Sequence, residues 1–258
     1  MDIIILSLLA GVVGMGLGAV ITALFGTRTD RMISIFLSLA GGVMISIVLL
    51  ELLPEAIEYS NMFIAVVGLV IGALMVLVLN SIVDMVTSKN GAAKLHDNYA
   101  ELFHSSEVIG NKKNMLRSGM IMLFAIALHN IPEGLAMGAA GQHDAALGLT
   151  IAIMIAMHNV PEGMAIAAPL ISGGLSKLKT IVLLLLTGAT TVIGAVAGVL
   201  IGGISDMALA LSFSIAGGAM LYVVFGEILP HSIATDKDRV PAVFALVGIV
   251  VGMLFTQI

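Results

Sequence analysis

Ile126-Ala127-Leu128-His129-Asn130-Ile131-Pro132-Glu133-Gly134 is followed by Ile155-Ala156-Met157-His158-Asn159-Val160-Pro161-Glu162-Gly163, the same pattern written again 29 residues later. Both copies lie inside long apolar segments, where an ionisable side chain is costly and marks a functional position. On a helix His129 and Glu133 stand at i and i+4, so imidazole and carboxylate share one face. Asn130, three residues before Glu133, can reach the same carboxylate from its other flank. Pro132 and Pro161 have no N–H, which frees the carbonyls of Leu128 and Met157 and tends to kink the helix. At membrane depth a free carbonyl is tolerated only when buried in protein or lining a polar cavity. Each copy thus offers an imidazole nitrogen, a carboxylate, an amide oxygen and a loose carbonyl. Two such sets facing each other predict a mixed nitrogen and oxygen cage for a divalent first-row metal. The plainer alternative, two helices glued by polar side chains, accounts for one motif but poorly for two identical ones, each with a proline.

Around this double motif the composition is that of an integral membrane protein. Of 258 residues 59% are hydrophobic and only 10% charged, against about 25% charged in a soluble domain; the mean hydropathy is +1.14. There is no cysteine, so neither a disulfide framework nor a thiolate site is available, and no tryptophan. The net charge of −5 says little about partners, because the signs are segregated by loop. Asp2 stands where a signal peptide would carry basic residues, so residues 3–25 read as a retained helix.

A membrane-crossing helix needs about 20 apolar residues. The pattern predicts an all-α membrane protein, a single polytopic domain over 1–258, with eight transmembrane helices near 3–25, 32–56, 62–86, 118–140, 145–170, 178–204, 207–231 and 240–257. Arg28 and Arg31 fall in the first loop, and Lys89, Lys94, Lys112, Lys113 and Arg117 in the third. Lys177 and Lys179 fall in the fifth, Lys237 and Arg239 in the seventh. These are all 11 basic residues, every one in an odd-numbered loop. Even-numbered loops and the N-terminus carry only Asp2, Glu58, Asp144 and Asp206. The positive-inside rule then puts both termini outside.

A second repeat agrees. Residues 40–56 (AGGVMISIVLLELLPEA) match 216–232 (AGGAMLYVVFGEILPHS), on helices of opposite direction, so the arrangement expected is a 3+2+3 inverted repeat with a midplane binding site. Glu51 and Glu55, near the outer end of the second helix, are expected at a pathway entrance. Glu227 and His231, in the same repeat positions on the seventh helix, are expected at the exit with Asn80 and Asp84. Glu51 and Glu227 each stand one turn before a proline, and carboxylates so deep are costly, about 2.5–3.5 kcal/mol at a helix centre. Met44 and Met220 occupy equivalent places and read as core filling; the many helix glycines read as close-packing positions. The one long loop, about 87–117, holds His96, Asp97, Glu101, His104 and Glu107 and reads as a solvated cytoplasmic linker. His143 receives no role.

At its two His-Asn-x-Pro-Glu-Gly motifs the chain resembles the ZIP (Zrt-, Irt-like protein) family of divalent-metal transporters, and its bacterial zinc-uptake members look most similar. The resemblance covers the whole chain. It implies that His129, Asn130, Glu133, His158, Asn159 and Glu162 form the transport site and that metal moves into the cytoplasm. It also implies a homodimer in the cell (inner) membrane, in which helices one, four, five and six slide against the other four. Where many bacterial members carry Ser-Gly-x-x-Glu-Pro on the sixth helix, with the Glu completing a binuclear centre, alignment on Gly188 puts Thr191 and Val192. A hydroxyl is a weak ligand without charge, whereas Glu133 and Glu162 together carry −2 and already balance one divalent ion.

The expected partners are therefore a divalent metal ion, the lipid bilayer and a second copy of the chain, with no nucleic acid. Zn²⁺ is the substrate that the resemblance favours; the ligand chemistry also admits Fe²⁺, Mn²⁺ and Cd²⁺. The rival readings are an intramembrane metalloenzyme and a metal-sensing membrane protein. Against the enzyme, Asn follows each His, so the His-Glu-x-x-His spacing of a zinc hydrolase is absent. Nor is there a Walker loop to bind ATP.

Overall fold

A computed structural model describes residues 2–25, 30–88, 112–203 and 205–255, and among these it contains helices and no strand. The first helix, α1, spans Ile3–Phe25. The second, α2, begins as Asp30–Ile47, passes through a π-helical turn at Val48–Leu52 and ends as Leu53–Glu58. Then follow α3 (Met62–Ser88), α4 (Lys112–His143) and α5 (Ala145–Ser172). Helix α6 is broken at Thr190 into Lys177–Ala189 and Thr191–Gly202. Helix α7 runs Asp206–Val223, through a second π turn at Val224–Ile228, into Leu229–Thr235; α8 is Val240–Phe255. Six of these rods, all but α3 and α8, are long and apolar enough to cross a membrane; α3 and α8 contribute shorter apolar stretches, Met62–Val78 and Val240–Leu254.

The break at Thr190 was not expected, since no proline stands there and the apolar pattern runs on past Gly188. Helix α4 also begins six residues before the predicted 118, at Lys112. The apolar pattern marks only where a helix meets hydrocarbon, and the chain is free to stay helical beyond it. The loop residues His96, Asp97, Glu101, His104 and Glu107 lie outside the described residues, as do the side chains of Asn80, Asp84 and Glu227.

The two π turns occupy matching places in the repeated sequences, Val48–Leu52 against Val224–Ile228. Each precedes a proline, Pro54 or Pro230, whose missing N–H cannot continue the α-helical register. The N–H of Leu53 reaches back to the Val48 carbonyl, and that of Leu229 to the Val224 carbonyl. Such one-turn π insertions recur at functional sites, and here each carries a glutamate, Glu51 or Glu227.

Helix packing repeats in the same way. Helix α1 packs along α5 as the second half of α6 packs along α4, and α2 packs on α8 as α7 packs on α3. The correspondence reaches single residues. A side chain at Gly18 would strike the Val160 carbonyl and the Met164 nitrogen, and one at Gly194 would strike the Ile131 carbonyl and the Leu135 nitrogen, which lie 29 residues earlier. Only a residue without a Cβ permits that approach. Helices α1, α4, α5 and α6 thus form one packed group and α2, α3, α7 and α8 another, touching mainly through α2 with α5 and α7 with α4.

At one end of the bundle Tyr59, at the close of α2, stacks edge-on against His143 at the end of α4, with centroids 4.6 Å apart. At the other end Ser232 of α7 lies 2.9 Å from the Ser34 hydroxyl and 2.5 Å from that of Ser38, all three buried. Arg31 pairs with Asp236 nearby, at 3.7 Å.

Candidate metal centre

The double motif lies where α4 and α5 pack against each other, and both helices run unbroken through Pro132 and Pro161. His129, Asn130, Glu133, His158, Asn159 and Glu162 are all buried, with at most 1% of their surface exposed. The i, i+4 geometry of each copy points imidazole and carboxylate inward from one helix face. One ligand atom from each of His129, Glu133, His158 and Glu162 lies within 4.8 Å of the others, the separation of groups that can share one ion.

Within this cluster Glu133 is central. Its Oε1 stands 2.6 Å from His158 Nε2 across the helix pair and 2.9 Å from His129 Nε2 on its own helix. His158 is held from behind as well, its Nδ1 lying 3.1 Å from the Met154 carbonyl. A nitrogen facing a carbonyl must carry the hydrogen, so Nε2 is the side of the ring turned to Glu133, and the 2.6 Å contact there requires a shared proton between Nε2 and Oε1. Glu162 makes no such contact; its nearest approach is 3.9 Å to His129 Nε2. Glu133 Oε2 and both Glu162 oxygens are buried without a hydrogen-bond partner. In a hydrocarbon-embedded interior orphaned carboxylate oxygens are costly, and a divalent cation is the partner that satisfies several at once.

The asparagines are oriented from outside the cluster. Asn130 does not turn its amide nitrogen toward Glu133; Nδ2 donates to the Thr187 carbonyl on α6 at 2.9 Å. Asn159 Nδ2 reaches the Ala10 carbonyl on α1 at 3.5 Å. With each nitrogen committed to a carbonyl, each Oδ1 faces away and is left buried and unpartnered. The chain accommodates this differently on the two sides. Gly14 on α1 makes room for Asn159, because a Cβ there would come within 2.6 Å of the Asn159 Cβ. In the matching place on α6 stands Thr190, at the helix break, whose hydroxyl lies 2.8 Å from the Ala127 carbonyl and 2.7 Å from the Thr187 carbonyl. Sequence reasoning missed these supports, since a backbone carbonyl has no signature in the residue it belongs to.

Thr191 is fully buried and its hydroxyl has no hydrogen-bond partner. It faces α1: a Cβ on Gly11 would stand 2.7 Å from Thr191 Oγ1. Glu51 and Glu55 are half-buried on α2. Around Tyr59, burial raises the phenol's pKa above its ordinary value, and the carboxylates of Glu55, Glu58, Asp144 and Asp206 push the same way. This end of the bundle is therefore acidic, and His143, to which the sequence assigned nothing, sits within it. His231 is buried beside the serine cluster at the opposite end.

Comparison with known proteins gives the family of the chain. Residues 2–258 match the family described as "ZIP Zinc transporter". The chain is 32% identical over 270 residues to the zinc transporter ZupT of Akkermansia muciniphila, covering 99% of this chain and 95% of that one. It is 31% identical to the ZupT of Campylobacter jejuni, covering 96% and 92%, and 29% identical to that of Corynebacterium glutamicum, covering 96% and 94%. By the extent of these matches the chain belongs to the ZIP family and is an integral membrane transporter rather than an enzyme.

Proposed function

We propose that this protein takes up a divalent transition metal, zinc foremost, and delivers it to the cytoplasm through a site formed by His129, Asn130, Glu133, His158, Asn159 and Glu162. The observation that carries the reading is the pair of buried carboxylates, held within reach of two imidazoles and leaving three oxygens unpartnered. Two imidazole nitrogens with carboxylate and amide oxygens suit zinc, while Fe²⁺, Mn²⁺ and Cd²⁺ compete on the same ligands. The names of the relatives, all zinc transporters, favour zinc. Because Thr191 brings no charge, the −2 of Glu133 and Glu162 is matched by one divalent ion per protomer.

In this reading the chain crosses the inner membrane eight times as a 3+2+3 inverted repeat with both termini outside. The paired π turns, the matching glycine approaches and the segregation of basic residues support it. Glu51 and Glu55 form the entrance, and Glu227, His231, Asn80 and Asp84 the exit. The protein works as a homodimer in which the group α1, α4, α5 and α6 moves against the other group. The seam supports that relative motion, since among the described glycines it is crossed by fewer close backbone approaches than the interior of either group.

Two experiments test the proposal. Zinc uptake into proteoliposomes should be lost in Glu133→Ala and Glu162→Ala, while both proteins still insert; near-normal uptake in either removes these helices from the path. Single cysteines at 51 and 227 need no background removal. An impermeant thiol reagent should label position 51 from outside and position 227 from the cytoplasmic side, and the reverse would overturn both topology and direction.

A further inference from the structure

Behind the second copy of the motif lies a cavity of about 190 Å³ between α5, α2 and α8. Met157, Val160 and Pro161 face it from α5, Leu39 and Val43 from α2, and Val251 from α8. It sits on the seam between the two helix groups, and Val160 and Pro161 belong to the turn that carries His158 and Glu162 on its other side. Gly252 of α8 also borders it, at the point where α8 packs closely on Ser46 of α2. In the matching place on α3 stands Val76, a buried side chain.

No polar side chain lines this space, so it offers a water none of the partners that would hold one. Left empty, its walls forfeit dispersion contacts on one side. Met157 is 37% exposed and opens the cavity to the outside of the bundle, which at this depth is hydrocarbon. Ligand pockets for compact molecules run to about 300–1,000 Å³; this one is smaller and suits a slender apolar chain with its polar end elsewhere. We propose that the cavity is a binding site for a single lipid acyl chain drawn from the surrounding bilayer, seated across the seam between α5 and the α2–α8 pair. The occupant backs the helix turn that presents His158 and Glu162, so it acts on the seam without touching the metal.

The test uses the whole protein in proteoliposomes containing a trace of phosphatidylethanolamine with a diazirine late in one acyl chain. After illumination, adducts are mapped by mass spectrometry. Met253, beside Gly252 on α8, is the internal reference: it is the same residue type and is 47% exposed against 37% for Met157. A chain seated in the cavity labels Met157 and Val160 several-fold more than Met253, despite their lower exposure. Labelling of Met157 at or below the Met253 level means bulk lipid, or cover by a second copy, and overturns the proposal. Val251→Phe and Val43→Phe, which fill the cavity from α8 and from α2, should each bring Met157 down to the Met253 level while Met253 is unchanged. Excess labelling that survives both fillings overturns the site equally, and the comparison within the unaltered protein stands even where a variant fails to fold.

Discussion

The two copies of His-Asn-x-Pro-Glu-Gly have nearly the same sequence and unlike surroundings. In the first, Glu133 is approached by both imidazoles, at 2.6 and 2.9 Å, and Asn130 is fixed by a 2.9 Å bond to α6. In the second, Glu162 has no hydrogen-bond partner, and Asn159 is fixed by a longer 3.5 Å bond to α1. The histidines divide the other way: His158 is braced by the Met154 carbonyl, whereas His129 Nδ1 has no partner. A repeated motif supplies equal side chains, but packing gives one carboxylate two imidazole neighbours and leaves the other without a hydrogen-bond partner.

The largest expected effect follows from that inequality. Glu133→Ala and Glu162→Ala should both abolish uptake, yet differ in the metal-free protein. Removing Glu133 strips buried His158 of its hydrogen-bond partner and buried His129 of the carboxylate nearest it, at a cost on the order of 3 kcal/mol. Removing Glu162 deletes a buried, unpartnered carboxylate and should leave apo stability unchanged or raised. Denaturation in detergent with chelator measures both. Equal losses in the two variants would break the comparison.

Thr191 sharpens it by addition. As Glu162 and the amide oxygens have capacity to spare, a carboxylate brought from α6 should turn one tight site into two. Calorimetric titration of Thr191→Glu is expected to give two zinc ions per protomer, against one in the unaltered chain. Two equally tight ions in the unaltered chain would show that a neutral donor set already holds the second. Thr191 faces Gly11 across a close contact, so the longer side chain must displace α1 slightly. The second ion should accordingly bind more weakly than the first.

How much of this was legible in the sequence differs from part to part, for physical reasons. The ligands were readable because ionisable groups are so rare in apolar helices that two at i, i+4, repeated, stand out. The π turns were half readable: the Glu-x-Leu-Pro element appears twice, but proline states only that a hydrogen bond is lost, not that the register slips to i+5. The break in α6 was only faintly legible: Thr187, Gly188, Thr190 and Thr191 are weak helix formers, but apolar helices tolerate such residues without breaking. It follows from the packing of Thr190 against the Ala127 carbonyl. The meeting of His143 with Tyr59 could not be read either, because it joins two helix ends more than eighty residues apart.

The smallest expected effect concerns the asparagines, where the difference between the copies lies in the second layer of contacts. Each amide is turned by a neighbouring backbone carbonyl so that its oxygen is free, and a better-fixed ligand loses less entropy on binding. Asn130 is held by the shorter bond, to a carbonyl that also accepts the Thr190 N–H at 3.2 Å. Asn159 relies on a bond at the edge of hydrogen-bonding distance. Both replacements by Ala should weaken zinc binding, with Asn130→Ala costing about tenfold, or ~1.4 kcal/mol, and Asn159→Ala less. Apo stability should change little in either, because the Thr187 carbonyl keeps the Thr190 N–H and hydroxyl as donors and the Ala10 bond is weak. The check is zinc affinity by competition with a chelator of known strength. If Asn159→Ala proves the more damaging, the metal sits nearer the second copy, and the quiet carboxylate Glu162 is its principal anchor.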